Sequence, residues 1–138
     1  MLNSPLTPSR IAVIDDDSVF LELMQDLLGT AEGYDVATCS SWLNSFEFVE
    51  KFQPDLIILD LVHGREQAGW AVLERLRSDP ATSATPVILC SAAAPALEHH
   101  AARVSATSAL ASIAKPFDVD QLLETIARLL TTRRTSLA

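Results

Sequence analysis

Polar side chains that suit metal and phosphate chemistry stand where apolar runs of this sequence end. Three acids, Asp15 to Asp17, follow the run RIAVI, and Asp60 closes the run DLIILD. Ser91 closes the run PVILCS, and Lys115 follows the weaker run ALASIA. Clustered carboxylates without histidine or cysteine favour a hard cation such as Mg²⁺ or Mn²⁺ over Zn²⁺. A carboxylate nucleophile, a divalent cation and fixed positive charge are the parts that phosphoryl transfer to an aspartate requires.

These side chains can meet if the apolar runs are neighbouring strands of one sheet. Apolar runs alternate with amphipathic stretches, which predicts the order βαβαβαβαβα and a parallel sheet with helices on both faces. The runs at 10–15, 55–60 and 86–91 are almost continuously apolar, as buried central strands require. The weaker strands at 34–39 and 109–114 are expected at the edges. Because ligands bind beyond the carboxyl ends of such strands, we expect the acids, Ser91 and Lys115 at one rim.

Helical periodicity predicts the segments that connect the strands. The first helix spans Ser18 to Leu28, with Val19 and Leu23 among the residues at helical spacing, and Gly29 or Gly33 could end it. Residues 61–67 are predicted to form a polar loop. The other four helices are expected from Trp42 to Pro54, from Trp70 to Pro80, from Ala94 to Ser105, and from Asp118 onwards.

Composition limits the class of protein. Apolar residues make up 49% and charged residues 20% of the 138 residues, as in a globular chain, and no apolar run is long enough to span a bilayer. The net charge of −8 argues against broad nucleic-acid binding. No signal peptide is visible, so we expect cytoplasmic residence and no membrane association. We expect one domain over residues 10–130, with a flexible N-terminus at 1–9 and a tail at 131–138. Cys39 and Cys90 are expected to be reduced and buried.

Four motifs in register along this repeat resemble the receiver domain of response regulators in two-component phosphorelay systems. They are IAVIDDD, DLIILDL, PVILCSA and AKPF, and the resemblance covers about residues 10–130. It implies a doubly wound, flavodoxin-like sheet of order 2-1-3-4-5 with five helices. It also implies that Asp60 accepts a phosphoryl group from a histidine kinase or a phosphotransfer protein. Output would pass by contact with an unidentified downstream protein, and a homodimer is a further candidate assembly.

The resemblance also assigns roles to the residues at the strand ends. Ser91 would reorient to donate a hydrogen bond to a phosphoryl oxygen after transfer. Lys115 would pair with the phosphoryl group, and the peptide bond before Pro116 would be cis. Asp17 is expected to be a helix cap or a solvated acid rather than a ligand. The domain would catalyse its own phosphorylation and dephosphorylation without being a turnover enzyme. The ligands of Mg²⁺ would be Asp15, Asp16, Asp60 and the backbone carbonyl of Val62.

Two departures from the family pattern keep an alternative open. The segment LVHGREQAGW after Asp60 lacks the usual proline, and Gly69 comes one residue late. Ser112 stands where members with an aromatic switch carry Tyr or Phe. These departures favour, as the alternative, a degenerate receiver that acts as a phosphorylation-independent interaction module.

Two other classes fit the residues less well. A phosphatase or phosphotransferase for small molecules would need a general acid two residues after the nucleophile, where Val62 stands, and a cap over the substrate. A flavodoxin-like cofactor binder would need a Gly-rich or Ser/Thr-rich phosphate loop after the first strand, which this sequence lacks.

Overall fold

Five parallel strands form one sheet in the computed structural model, which describes residues 7–60, 66–91, 110–114 and 118–137. Within these residues the order β2-β1-β3-β4-β5 confirms the prediction, with both weaker strands at the edges. Central β3 is buried along its whole length, as its apolar sequence requires. The strands are β1 (Arg10–Ile14), β2 (Asp35–Cys39), β3 (Leu56–Asp60), β4 (Val87–Ser91) and β5 (Leu110–Ala114).

Four of the five predicted helices fall within the described residues, whereas the helix predicted for 94–105 lies outside them. They are α1 (Ser18–Met24), α2 (Trp42–Phe52), α3 (Glu66–Ser78) and α4 (Val119–Leu137). Because α3 begins at Glu66, the predicted loop at 61–67 is wrong at its last two residues. Helix α4 continues through residues 131–137, and the domain limits stay a prediction. Of the described helices, none is long and apolar enough to cross a membrane.

The sheet separates two apolar cores because side chains alternate between its faces. Helices α1 and α4 cover the face that carries Ile11, Ile58 and Ile88. Helices α2 and α3 cover the face that carries Ile57 and Leu89. Both faces are therefore closed by helices, and the carboxyl edge of the sheet is left to carry polar groups.

The first helix does not end at Gly29. Helix α1 continues directly into a π-helical segment, Gln25–Ala31, whose wider turn includes that glycine. The Gln25 side-chain amide donates to the Val36 carbonyl at 3.2 Å and ties the segment to β2. The chain turns at Gly33, whose φ of 81° is readily reached by glycine alone, and the Gly33 amide donates to the Gly29 carbonyl at 3.0 Å. Of the two glycines predicted as possible ends of the first helix, Gly33 is the one at which the chain turns.

Charged groups at the amino edge of the sheet are joined to one another. The amide of Arg10 donates to the carboxylate of Asp55 at 2.8 Å, and the Asp55 amide donates to the Arg10 carbonyl at 2.7 Å. The Arg10 guanidinium donates to the Phe52 carbonyl at 3.1 Å and lies 3.9 Å from the Asp35 carboxylate. One side chain thus links the starts of β1 and β2 with the end of α2.

Candidate functional site

Three carboxylates converge at the carboxyl edge of the sheet. Asp60 ends β3, and Asp15 follows the last residue of the neighbouring β1, where Ile14 pairs with Leu59. The next pair along the two strands is therefore Asp15 opposite Asp60. Carboxylate oxygens of Asp15, Asp16 and Asp60 all lie within 4.8 Å of one another. The convergence predicted from the strand ends is present for all three acids.

The three acids differ in their exposure to water. Asp15 is 1% exposed and Asp60 is 3% exposed, whereas Asp16 is exposed. Two carboxylates are thus largely desolvated and the third stands at the mouth of the site. At an effective dielectric constant of 20, two unit charges 4.8 Å apart repel by about 3.5 kcal/mol. The cluster therefore opposes folding unless a cation or hydrogen bonds offset the repulsion.

Backbone hydrogen bonds hold Asp15 in place. Its amide donates to the Cys39 carbonyl at 3.1 Å, which extends the pairing of β1 with β2 by one residue. Its carboxylate accepts a hydrogen bond from the Asp17 amide at 2.9 Å. The main chain of Asp15 is therefore fixed by β2, and the hydrogen bond from the Asp17 amide orients the carboxylate and offsets part of its charge.

Asp17 caps α1 and lies outside the acidic cluster. Its carboxylate accepts hydrogen bonds from the amides of Val19 at 3.0 Å and Phe20 at 3.4 Å. These are amides of the first helical turn that would otherwise lack acceptors. The predicted cap is confirmed: Asp17 caps the helix, whereas Asp15 and Asp16 belong to the acidic cluster.

The donor set fits a hard divalent cation. Mg²⁺ binds oxygens at about 2.0–2.1 Å in an octahedron, which places its ligand oxygens roughly 3–4 Å apart. The three carboxylate oxygens already lie within 4.8 Å of one another, so a small contraction would bring them to that spacing. The cluster contains only carboxylates, the donors that Mg²⁺ and Mn²⁺ share. The backbone carbonyl of Val62, predicted as a further ligand, lies outside the described residues.

The other predicted site residues are located only in part. Ser91 is the last residue of β4, one position beyond Cys90, which is the register partner of Asp60. Ser91 itself pairs with Ala114 at the end of β5, so its backbone reaches the same edge as the acids. The side chain of Ser91 and the whole of Lys115 and Pro116 lie outside the described residues. Their roles stay predictions.

Sequence reasoning did not identify Cys90 as a neighbour of Asp60. Because side chains alternate along strands, Cys90 and Asp60 lie on the same face of the sheet, the face covered by α1 and α4. Cys90 is fully buried, and both cysteines are free, with Cys39 half-buried. The sequence shows that Cys90 precedes the hydroxyl at the strand end, but its position beside Asp60 depends on the register of β3 with β4.

Exposed apolar side chains on the helices that begin at this edge were also missed. Val19 and Leu23, predicted as part of the helix's apolar repeat, are 71% and 54% exposed on α1. Val119, in the first turn of α4, is 43% exposed. Both helices start at the carboxyl edge because each follows a parallel strand. Apolar surface is therefore available on the helices that flank the acids.

Ser112 lies on edge strand β5, opposite Leu89 of β4. Its side chain is exposed. The position is accessible to solvent, and a small polar residue stands where members with an aromatic switch carry Tyr or Phe.

Comparison with known proteins places these features in a family. The family model described as the response regulator receiver domain matches residues 11–127. The DNA-binding dual master transcriptional regulator RpaA of a Synechocystis strain is 34% identical over 126 residues, which is 91% of this chain and 50% of that protein. The response regulator PleD of Caulobacter vibrioides is 34% identical over 85 residues, which is 61% of this chain and 18% of that protein. The chain thus spans half or less of these curated relatives.

Solved structures share the architecture. A response regulator from Desulfuromonas acetoxidans superimposes with a TM-score of 0.71 at 25% identity, covering 90% of this chain and 98% of that one. A CheY-like receiver domain protein from Methanospirillum hungatei superimposes with a TM-score of 0.80 at 23% identity, covering 94% and 99% of the two chains. With the strand order, the acidic cluster and the family match in agreement, the chain belongs to the response regulator receiver domain family of two-component signalling.

Proposed function

We propose that Asp60 accepts a phosphoryl group from a histidine kinase or a phosphotransfer protein, in a reaction that depends on Mg²⁺. The observation that carries the proposal is the meeting of three carboxylates within 4.8 Å at the carboxyl edge of the sheet. Like charges gathered in a buried place cost stability, so a cluster of this kind is expected to serve a site rather than the fold.

The chain's own residues have distinct parts in the proposed transfer. An oxygen of the Asp60 carboxylate attacks phosphorus, and the bond from phosphorus to the donor's imidazole nitrogen breaks, with that nitrogen keeping the electron pair. Asp60 is held for this attack at the end of β3, which is buried along its whole length. Asp15 and Asp16 would hold Mg²⁺ with Asp60. When bound, the ion would offset most of the negative charge of the three carboxylates and would polarise the phosphoryl oxygens.

Two residues would act on the phosphoryl group after transfer. Lys115 would supply an ammonium group to its oxygens, and the hydroxyl of Ser91 would donate a hydrogen bond to them. The end of β4 supports the second assignment, because the Ser91 backbone lies one position past the register partner of Asp60.

A protein phosphodonor suits the surface beside the site. The side chains of Val19, Leu23 and Val119 expose apolar area on the helices that begin at the carboxyl edge. Exposed apolar side chains around a polar site are typical of protein contact surfaces. We propose output through contact with another protein as well, because the net charge of −8 disfavours direct nucleic-acid binding. In this proposal the domain is a signalling switch rather than a turnover enzyme, and its cytoplasmic residence stays a prediction.

The test is intact-mass measurement after incubation with acetyl phosphate and Mg²⁺. Wild type is expected to gain the mass of one phosphoryl group, and Asp60→Asn is expected to gain none. Asp17→Asn is the matched control, because asparagine also caps helices and Asp17 lies outside the cluster. It should be phosphorylated like wild type. An adduct on Asp60→Asn, or no adduct on a wild type that binds Mg²⁺, would contradict the assignment.

A degenerate receiver that acts without phosphorylation is the second candidate function. The exposed Ser112 on β5 favours it, because no ring at that position can change its burial in response to Ser91. If phosphorylation acts here, we expect the signal to use another route or to be weaker near β5. A wild type that binds Mg²⁺, takes no phosphoryl group and still binds a partner protein would favour this second function.

A further inference from the structure

The exposed apolar side chains beside the acidic cluster form one surface, the α1–α4 surface, made by Val19, Leu23 and Val119. Helices α1 and α4 cover the same face of the sheet, and both begin at its carboxyl edge. Asp16 is exposed at this edge, at the mouth of the cluster. A partner that reaches Asp60 through the mouth therefore lies beside the first turns of both helices.

The charged side chains at the margin of the α1–α4 surface are acids. On α1, Glu22 follows Val19 by three positions and so lies on the same side of the helix, and Asp26 follows Glu22 by four. On α4, Asp120 and Glu124 are exposed in the first two turns. Within the described part of the chain, none of these four carboxylates has an ion-pair partner. Their negative charge is therefore available to a partner protein.

Lysine and arginine side chains are segregated from this surface. Residues 11–50 contain nine acids and no lysine or arginine. Cations whose side chains the structure describes stand mainly at the amino edge, at the start of β1 and in the last turns of α2 and α3: Arg10, Lys51, Arg75 and Arg77. Arg128 is the exception, and it lies roughly 13 Å from Val119 along α4. Lys115, to which the phosphoryl group is assigned, lies outside the described residues. The α1–α4 surface is therefore apolar at its centre and acidic at its margin.

We propose that the protein phosphodonor docks on the α1–α4 surface through apolar side chains surrounded by lysine and arginine residues, and that this positive charge selects it. The inference rests on the proposed function, because it specifies the partner that delivers the phosphoryl group to Asp60. Apolar contact supplies affinity, whereas opposite charge raises the association rate and excludes acidic partners. Positive charge on the donor also offsets the repulsion between its phosphoryl group and the acidic cluster. A second copy of the chain would instead bring acid against acid.

Two synthetic amphipathic helical peptides test the charge of the partner. Each carries one histidine and the same leucine face, flanked by lysines in one peptide and by glutamates in the other. In ¹⁵N-labelled protein at low salt, the lysine peptide is expected to shift the amides of Val19, Leu23 and Val119 saturably, with an affinity about tenfold above that of the glutamate peptide. Added salt should weaken its binding. Equal affinity for both peptides would overturn the proposal, and so would shifts of the same amides on raising the protein concentration alone, which would identify a second copy.

Variants with matched controls locate the binding. Leu23→Ser removes exposed apolar surface from α1 and should weaken binding of the lysine peptide about tenfold, whereas Leu43→Ser removes it from α2, on the other face, and should not. Glu22→Gln should weaken binding about threefold, as for an exposed ion pair, and Glu47→Gln on α2 should leave it unchanged. If the two α2 variants weakened binding as much as the α1 variants, general charge attraction would explain it, and the proposal would be wrong.

Phosphoryl transfer distinguishes this proposal from the proposed function. Both peptides are phosphorylated on histidine and mixed with the protein and Mg²⁺, and intact mass follows transfer to Asp60. The lysine peptide should transfer about tenfold faster, and Leu23→Ser should lose that advantage. Acetyl phosphate needs no docking surface and should label wild type and Leu23→Ser at the same rate. Labelling by acetyl phosphate with equal transfer from both peptides would overturn the docking proposal alone. Binding of the lysine peptide without labelling of Asp60 by any donor would refute a phosphodonor as the partner.

Discussion

The two edges of the sheet differ in how their charged groups are arranged. At the carboxyl edge, three like charges stand within 4.8 Å of one another, and two of them are buried. At the amino edge, the Arg10 guanidinium lies beside Asp35 and donates to the end of α2, and the Arg10 backbone amide donates to the Asp55 carboxylate. Groups that attract one another support the fold, whereas buried groups that repel need a cation or hydrogen bonds to offset the repulsion. The difference separates a candidate reaction centre from a structural junction without reference to any relative.

The largest effect that tests this comparison is stabilisation by Mg²⁺. A ligand that binds the folded chain at 100 times its Kd raises the free energy of unfolding by about 2.7 kcal/mol. We expect that gain for wild type, measured by urea denaturation with Mg²⁺ and with EDTA. Asp15→Asn should lose it, because one of the two buried carboxylates is gone. An equal gain in Asp15→Asn would place the metal elsewhere.

Without metal, the two edges should respond to loss of charge with opposite sign. Asp15→Asn removes like-charge repulsion and keeps an oxygen that can accept from the Asp17 amide, so we expect the free energy of unfolding in EDTA to rise by about 1–2 kcal/mol. Asp17→Asn, outside the cluster, should change it little. If Asp15→Asn clearly lowered the free energy of unfolding, hydrogen bonds would outweigh the charge repulsion, and the cluster would not destabilise the metal-free fold.

At the amino edge, Arg10→Ala should lower the free energy of unfolding by about 1 kcal/mol. It removes the hydrogen bond to the Phe52 carbonyl and the guanidinium over the Phe52 ring, 5.9 Å from its centroid. The nearby pair with Asp35 is half exposed and should add little. Lys51→Ala, at an exposed cation in the last turn of α2, is the control and should cost less. Mg²⁺ affinity, measured by calorimetry, should be unchanged in both variants.

The acidic site was predictable because each of its acids follows a continuous apolar run. A buried parallel strand forces such a run, and its end marks the sheet edge, so the convergence of Asp15, Asp16 and Asp60 could be inferred without coordinates. The buried thiol of Cys90 beside Asp60 needed the register of β3 with β4. The described residues do not include 61–65 or 115–117. The roles assigned to Val62 and Lys115 therefore rest on the resemblance to the receiver family.

The buried face of α1 was not predictable from periodicity. Apolar residues surround this helix, so several stripes at helical spacing fit the sequence equally well. Tertiary packing buries Leu21, Met24 and Leu28 and leaves Val19 and Leu23 exposed. The π-helical segment that follows was missed as well, because it depends on the hydrogen bond from Gln25 to β2 rather than on a local pattern.

The smallest expected effect concerns the residue that ends α2 at the amino edge. Gln53 has a φ of 53°, in the left-handed region where a Cβ is unfavourable. Gln53→Gly should therefore raise the free energy of unfolding by about 0.5–1 kcal/mol, as the relief of strain exceeds the added entropy of the unfolded glycine. Lys51→Gly, within the helix, should lower it by about 1 kcal/mol. Both are measured by urea denaturation. If Gln53→Gly destabilised the chain as much as Lys51→Gly, the contacts of the Gln53 side chain would outweigh the strain, and the amino edge would depend on this residue as it does on Arg10.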